Sequence, residues 1–454
     1  MDVTDAAALD AAELLEAFAA GALTPLQALQ GVTERIARRN PEINAFAAMN
    51  PGALDAARES AERWKAGKPR ALEGVPVTVK DLIDVAGLPT RRGSKTTNPA
   101  PVTRSAPLVA ALRQAGAVII GKTTTTEFGW KSPGDNPLHG ITRNPWNVAH
   151  TPGGSSSGAA AAAASFFGPL HVGSDGGGSI RIPAAWSGVV GLKPSFGRVP
   201  QWKLGAFGAV AVAGPIARSV RDAALMLSVM AGFDKADPYA LPEPKRDFTA
   251  GLEEGVRGLR IGILRRPGFD APADAAAWAA VDEAREILAE QGAEIFEIAP
   301  ALPDISQIFT LLWGVALAKA VSTVAQDQRP LLEPGLLAVA ARFCNVSALE
   351  WLEAEAGRVQ AAHEMAALQV DAILCPCVPH AAPLAQAELG DAVAALVQDW
   401  APWTILFSLT RQPAISLPMG VDAAGLPTAV QIAAPLYCDD MVLRVARAVE
   451  IALG

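Results

Sequence analysis

Gly173-Ser-Asp-Gly-Gly-Gly-Ser-Ile-Arg-Ile-Pro183 is the stretch on which the reading of this chain turns. The apolar segment Leu170 to Gly173 runs into three successive glycines and delivers a single serine, Ser179. Successive glycines adopt positive φ freely and aim several N–H groups at one point. Beside a hydroxyl, such a cluster suits acyl transfer: a nucleophile, with donors where a carbonyl oxygen becomes an oxyanion. Read alone, the run fits a tight loop or an anion cradle equally well.

Two segments further upstream narrow the choice. Gly153-Gly-Ser155-Ser156-Ser157-Gly158 precedes six consecutive alanines, and Gly74-Val-Pro-Val-Thr-Val-Lys80-Asp81-Leu-Ile-Asp84 lies before that. Val75, Val77 and Val79 alternate with Pro76, Thr78 and Lys80, which is strand periodicity, and a proline near a strand start is tolerated. This strand places Lys80 at the carboxyl edge of a sheet, where open α/β folds build their sites. Plainer roles exist for each residue. Lys80 could pair with Asp81 or Asp84, and Ser157 could cap a helix over Ala159 to Ala164. Asp175 and Arg181 read as loop braces, and Asp81 as a similar support. Gly154 to Gly158 also satisfies G-x-S-x-G, the nucleophile elbow of another hydrolase class. That elbow needs a strand before it; Arg143 to Pro152 has two prolines and no alternation, so the context fails.

Taken together, GVPVTVKDLIDVAG, TPGGSSSGAAAAAA and GSDGGGSIRIPAAWSGVVGLKPSFGRVP resemble the amidase signature family. The resemblance is dense from Leu72 to Arg218 and looser elsewhere; QPAISLPMG and GLPTAVQI are similar to the family's closing strands. The spacing, 75 residues from Lys80 to Ser155 and 24 more to Ser179, matches the family's Ser–Ser–Lys triad. The resemblance implies Ser179 as nucleophile, Ser155 as relay behind a cis Gly154–Ser155 bond, and Lys80 as base. It implies the backbone N–H groups of Gly176, Gly177, Gly178 and Ser179 as oxyanion donors, with Ser156, Asp175 and Arg181 supporting them. A free lysine titrates at about 10.4 and cannot accept a proton as an ammonium. Burial lowers that value, and a neutral Lys80 could then take a proton from Ser155 while Ser155 takes one from Ser179. The scheme calls for no histidine, metal or cofactor.

Five departures from the family pattern bear on specificity. Gly176 stands where threonine is usual, His150 for arginine and Thr124 for asparagine, while Ser408 and Arg411 replace the common Asn and Gly. The resemblance points to Phe128, Trp130, Trp313, Trp400, Trp403 and Phe407 as substrate-pocket residues, each of which could equally be core. If Arg411 reaches the pocket, it could hold a carboxylate.

Composition agrees with an intracellular enzyme. Half of the 454 residues are apolar and the net charge is −8, without the basic stripe nucleic acid requires. Four cysteines do not make a disulfide framework, Cys375-Pro-Cys377 is too closely spaced for a zinc pair, and both read as packing or pocket-wall residues. The five histidines lack ligand spacing. The N-terminus shows helical spacing over Ala6 to Arg39 and no signal peptide, and glycines and prolines interrupt the uncharged stretches before a spanning length. A cytoplasmic protein is expected, its partners a small amide and water, with a homodimer left open.

Along the chain, helices at Leu108–Ala115 and Ala277–Gln291 lead into strands at Ala117–Gly121 and Ala293–Ile298, with further strands at Leu259–Leu264 and Val370–Leu374. Such alternation predicts a mixed, mostly parallel sheet covered by helices, an α/β/α sandwich. One domain over 1–454 is expected: an N-terminal helical element (1–68), a core carrying the triad (70–220) and a variable half (221–454). The Pro-rich Asp237 to Lys245 reads as a surface connection within it. The function expected first is hydrolysis of a small carboxamide or anilide through an acyl-Ser179 intermediate. Alternatives are the amidase subunit of a glutamine-dependent amidotransferase, or a catalytically silent anion-binding protein.

Overall fold

The computed structural model describes residues 5–202, 207–387 and 390–454. Its strands, in chain order, are β1 (Phe46–Met49), β2 (Pro76–Lys80), β3 (Val118–Thr123), β4 (Asp135–Asn136), β5 (Gly140–Ile141), β6 (Leu170–Asp175) and β7 (Val190–Lys193). They continue as β8 (Val212–Ala217), β9 (Arg260–Leu264), β10 (Glu294–Ile298), β11 (Ala372–Pro376), β12 (Ala414–Val421) and β13 (Pro427–Ala433). Eleven of them form one sheet in the order β1-β3-β2-β6-β8-β7-β12-β13-β11-β9-β10; β4 and β5 form a separate ribbon. The sheet is mixed and helix-covered, as an α/β fold requires. The balance differs from the expectation of a mostly parallel sheet. Only β3–β2, β2–β6, β11–β9 and β9–β10 are parallel. The centre, from β6 through β8, β7, β12 and β13 to β11, is antiparallel throughout. Helix–strand alternation reports the two parallel flanks; a short return such as Gly425 to β13 leaves no helix to read.

On one face, the helices Pro107–Gln114, Val220–Met230, Ala275–Glu290 and Asp439–Leu453 pack on the sheet through Leu112, Leu227, Val281 and Val445. On the other, Ser157–Ala164 and Arg181–Ser187 lie against its middle. The alanine helix is buried all round because it needs close approach: Gly158 sits where a Cβ would strike the Ala45 carbonyl and Thr124. The N-terminal pattern is two helices, Ala11–Ala19 and Pro25–Ile43, divided at Gly21 and restarted by a Thr24–Gln27 capping box with Pro25 in the first turn.

One helix combines length with apolar character, although Gly314 interrupts it and Lys319 ends its uncharged run. Ile305–Ser322 is long and apolar enough, by length and composition, to cross a membrane. Its inner face, Phe309, Trp313, Leu317 and Val321, packs into the second core cluster around Trp130, Trp186 and Trp403. Gly314 lies within it where a Cβ would meet the Phe343 ring, so the neighbouring helix Pro334–Phe343 approaches closely there.

Candidate active site

Three parallel strands end together. β2 finishes at Lys80, β3 at Thr123 and β6 at Asp175, with Val79 paired to Val172 and Lys80 to Thr123. β2 is buried on both faces, so its alternation separates two interiors. Val77 and Val79 enter the large apolar cluster, while Thr78 shares a 2.8 Å hydrogen bond with His171 Nδ1 and Lys80 turns toward the serine segment.

Lys80 is fully buried. Its Nζ lies 2.7 Å from Ser155 Oγ, 2.8 Å from Ser156 Oγ and 3.2 Å from the Ser174 carbonyl. Among the described residues no carboxylate forms an ion pair with it; Asp81 pairs with Lys122 instead, at 2.9 Å. Burial drives the Lys80 pKa well below the usual ammonium range, and the negative charge of Asp175 opposes this only in part. Lys193 is also buried, with a pKa lowered to about 7, but its Nζ donates to the Pro194 carbonyl at 3.0 Å and to no serine among the described residues. Contact with the serines, beyond burial, distinguishes Lys80.

The peptide bond between Gly154 and Ser155 is cis. The Ser156 N–H donates to the Ser179 carbonyl at 3.1 Å, tying the two serine segments together. Ser156 Oγ donates to the Ser174 carbonyl (3.2 Å) and accepts from the Ser174 N–H (3.3 Å). Ser157, read as a helix cap, is the first residue of its helix, and its buried hydroxyl has no hydrogen-bond partner among the described residues.

Asp175 organises the glycine turn. Its Oδ1 accepts the Gly178 N–H at 2.7 Å, and Oδ2 accepts the Ile180 N–H at 3.2 Å. Gly178 therefore leaves the set of expected oxyanion donors. The N–H groups of Gly176, Gly177 and Ser179 make no hydrogen bond within the described residues. Gly178 holds φ of 134°, and a Cβ there would collide with Thr404 and Ile182, so the position is closed to any side chain. Arg181 grips Asp175 with Nε–Oδ2 and Nη2–Oδ1 contacts of 2.9 Å each. Its remaining N–H groups reach Thr404 O, Gln431 Oε1 and Ser408 Oγ. Burial pushes the Asp175 pKa upward, but Arg181 and the backbone donors outweigh it and hold the carboxylate ionised.

Two cavities meet at Ser179. The larger, about 390 Å³, is lined by Ser155, Phe128, Leu108, Trp202 and Phe207 and has Arg92 and Lys319 on its wall. The smaller, about 30 Å³, is lined by Trp130, Ile182, Phe309, Trp313 and Trp400. Phe128 stands in the left-handed region at φ 51°, its N–H on the Arg92 carbonyl. Trp403 and Phe407 line neither cavity: Trp403 is anchored to the Pro272 carbonyl and stacks edge-on with Trp278, and Phe407 is core. Arg411 also lines neither, since its guanidinium lies over the Phe196 ring at 4.5 Å. Cys375 and Cys377 are buried core thiols, Cys375 Sγ accepting from Gln431 Nε2 (3.2 Å) behind Arg181.

The other unusual residues are absorbed locally. A Cβ on Gly176 would stand only 3.3 Å from Phe207, which occupies that side of the turn. His150 Nδ1 contacts the Ala382 carbonyl at 2.6 Å, and Thr124 shares a 2.7 Å hydrogen bond with Thr142. Ser408 is part of the Arg181 network. Sequence reasoning missed Phe309 and Phe207 as cavity walls; neither belongs to a motif, and only the packing of distant segments brings them to Ser179. No cluster of three or more metal-binding side chains exists among the described residues.

A sequence profile described as Amidase matches residues 27–443. An acylamidase of Rhodococcus erythropolis is 35% identical, covering 96% of this chain and 94% of that protein. A glutamyl-tRNA(Gln) amidotransferase subunit of Pseudomonas fluorescens is 33% identical, covering 97% and 96%. The solved structure of a bacterial aryl acylamidase of the amidase signature enzymes superposes with a TM-score of 0.89 at 26% identity, covering 98% of this chain and 96% of that one. With its mixed helix-covered sheet, this chain belongs to the amidase signature family and is an amide hydrolase by that membership.

Proposed function

We propose that this protein hydrolyses a small carboxamide or anilide through an acyl-enzyme on Ser179, with Ser155 as proton relay and neutral Lys80 as base. The observation that carries the reading is a fully buried Lys80, without an ion pair among the described residues, whose Nζ lies 2.7 Å from Ser155 Oγ. A neutral amine has two N–H donors and one lone pair. The Ser174 carbonyl only accepts, and the Ser156 hydroxyl proton is directed to that same carbonyl. With Lys80 neutral, as proposed, its two hydrogens go to Ser174 O and Ser156 Oγ, and its lone pair faces the Ser155 hydroxyl 2.7 Å away. Ser155 in turn accepts the Ser179 proton as Ser179 attacks the carbonyl carbon. The oxyanion so formed meets the N–H groups of Gly176, Gly177 and Ser179. Running the relay backward delivers a proton to the leaving nitrogen; water then repeats the cycle on the ester.

A second reading, a glutaminase subunit passing ammonia to a partner, is favoured by the likeness to the glutamyl-tRNA(Gln) amidotransferase protein. Amine or ammonia release by the purified chain, across aliphatic, aromatic and carboxylated amides and glutamine, tests both. Turnover of non-glutamine amides by the chain alone supports the first reading; activity confined to glutamine supports the second. Inactivity on all of them defeats the first.

A further inference from the structure

The two cavities at Ser179 are unequal in size, and they differ in which member of the relay they contain. Ser155 lines the larger and not the smaller. Gly177, an oxyanion donor in the proposed mechanism, lines the smaller and not the larger. A tetrahedral centre on Ser179 with its oxygen toward Gly176 and Gly177 has two other substituents, the acyl chain and the leaving nitrogen. The nitrogen must lie where Ser155 can protonate it, which is the larger cavity. The acyl chain is then directed into the smaller one.

Resting on the proposed function, we infer that the substrate class is a short-chain N-acyl amide of a bulky amine, with acyl length set by Phe309. The smaller cavity, about 30 Å³ against about 390 Å³ for the larger, is much the tighter of the two and suits a short acyl chain such as acetyl or propionyl. Its walls are mostly apolar, with Lys131 and Ser132 also lining it, and the aromatic ones are tightly held. Phe309 is nearly inaccessible, and its ring edge lies so close to Gly177 that a Cβ there would collide with it. Trp313 is fixed by its Nε1 to the Trp130 carbonyl at 3.2 Å, and Trp130 meets Trp400 edge-on at 6.3 Å. The larger cavity, about 390 Å³ with Phe128, Trp202 and Phe207 on its walls, accommodates an aryl or extended amine. An apolar pocket discriminates one methylene by about 10–200-fold, so a closed end at Phe309 enforces a steep length limit.

The test is kcat/KM for anilides of acetic, propionic, butyric and hexanoic acid, alongside hexanamide and benzamide as amides with a large acyl group and a small leaving group. The wild-type enzyme should favour acetyl or propionyl anilide over hexanoyl anilide by at least about 10-fold. It should also favour acetanilide over hexanamide and benzamide. Phe309→Ala should raise hexanoyl-anilide turnover and flatten or invert the series. Phe309→Leu, a milder truncation, should shift it by one or two carbons and serves where the alanine variant fails to fold. A wild-type preference for hexanoyl chains or for benzamide would overturn the assignment, as would a length profile unchanged in a folded Phe309 variant. Inactivity toward every amide would overturn the proposed hydrolysis itself, a result distinct from activity with the wrong length preference.

Discussion

Asp175 and Arg181 form a fully buried bidentate pair, with both N–O contacts at 2.9 Å and neither side chain reaching solvent. The same carboxylate accepts the N–H groups of Gly178 and Ile180, so the turn carrying Ser179 is wound around one anion held by one cation. Breaking such a pair leaves an uncompensated buried charge, whereas the intact pair fixes geometry.

Arg181→Lys should therefore not behave as a conservative change. Lysine keeps the charge but loses the planar fork and the contacts to Thr404, Gln431 and Ser408. We expect destabilisation of about 1–3 kcal/mol from the acceptors left unsatisfied, read by denaturant unfolding, with amidase activity falling as the proposed oxyanion donors lose their alignment. An unchanged unfolding midpoint would show that the network is not structural.

Each member of the proposed relay should leave a different signature. Ser179→Ala should reduce kcat by about 10⁴-fold or more and abolish labelling by a fluorophosphonate. Ser155→Ala should reduce kcat by about 10²–10⁴-fold, because Ser179 keeps its position but loses its proton acceptor. Labelling stoichiometry and single-turnover kinetics on both variants check this. Covalent labelling that persists in Ser179→Ala would place the nucleophile elsewhere.

The pH dependence follows from Lys80. Its pKa is depressed by burial, so the competent neutral amine is present at pH values where a surface lysine is still charged. The rate should rise with pH through one ionisation lying below about 10.4. Asp175 is the charge that opposes the depression, so Asp175→Asn should move this limb of the residual activity to lower pH. A limb shifted to higher pH would contradict the assignment of Lys80 as base.

Stability should carry its own pH signature at Asp222. This buried carboxylate accepts the Ala11 N–H at 2.8 Å and the Ala12 N–H at 3.3 Å, fastening the first helix to the core. Burial, with Asp10 adding repulsion, raises its pKa from 3.8 to about 7. The native state then binds more protons than the unfolded chain between about pH 4 and 7, so stability falls as pH rises through that window. Asp222→Asn, which keeps an acceptor but cannot ionise, should flatten that part of the Tm-against-pH curve. A slope unchanged in the variant would assign the titration to another group.

Much of the site is legible in the sequence because its residues sit in local motifs. A strand ending at Lys80, a Gly-Gly-Ser turn before an alanine helix, and three glycines before Ser179 are each written in consecutive residues. Element positions are equally local: the strands expected at Ala117–Gly121 and Ala293–Ile298 lie at Val118–Thr123 and Glu294–Ile298. The strand order is not local, and helix–strand alternation carries no mark of the antiparallel centre of the sheet.

The sequence by itself thus pointed to the family, through the resemblance of its motifs, and with it to the fold class and the candidate residues Lys80, Ser155 and Ser179, since such motifs are runs of neighbouring residues. Tertiary structure decided the rest. It assigned Gly178's N–H to Asp175, sent Arg411 to Phe196 and Trp403 to the core, and brought Phe309 across from a distant helix to close one side of Ser179. The physical reason is that a hydrogen-bond partner or a cavity wall is a relation between segments far apart in the chain. Which of several aromatic side chains fills a given space is settled only when the whole interior is packed.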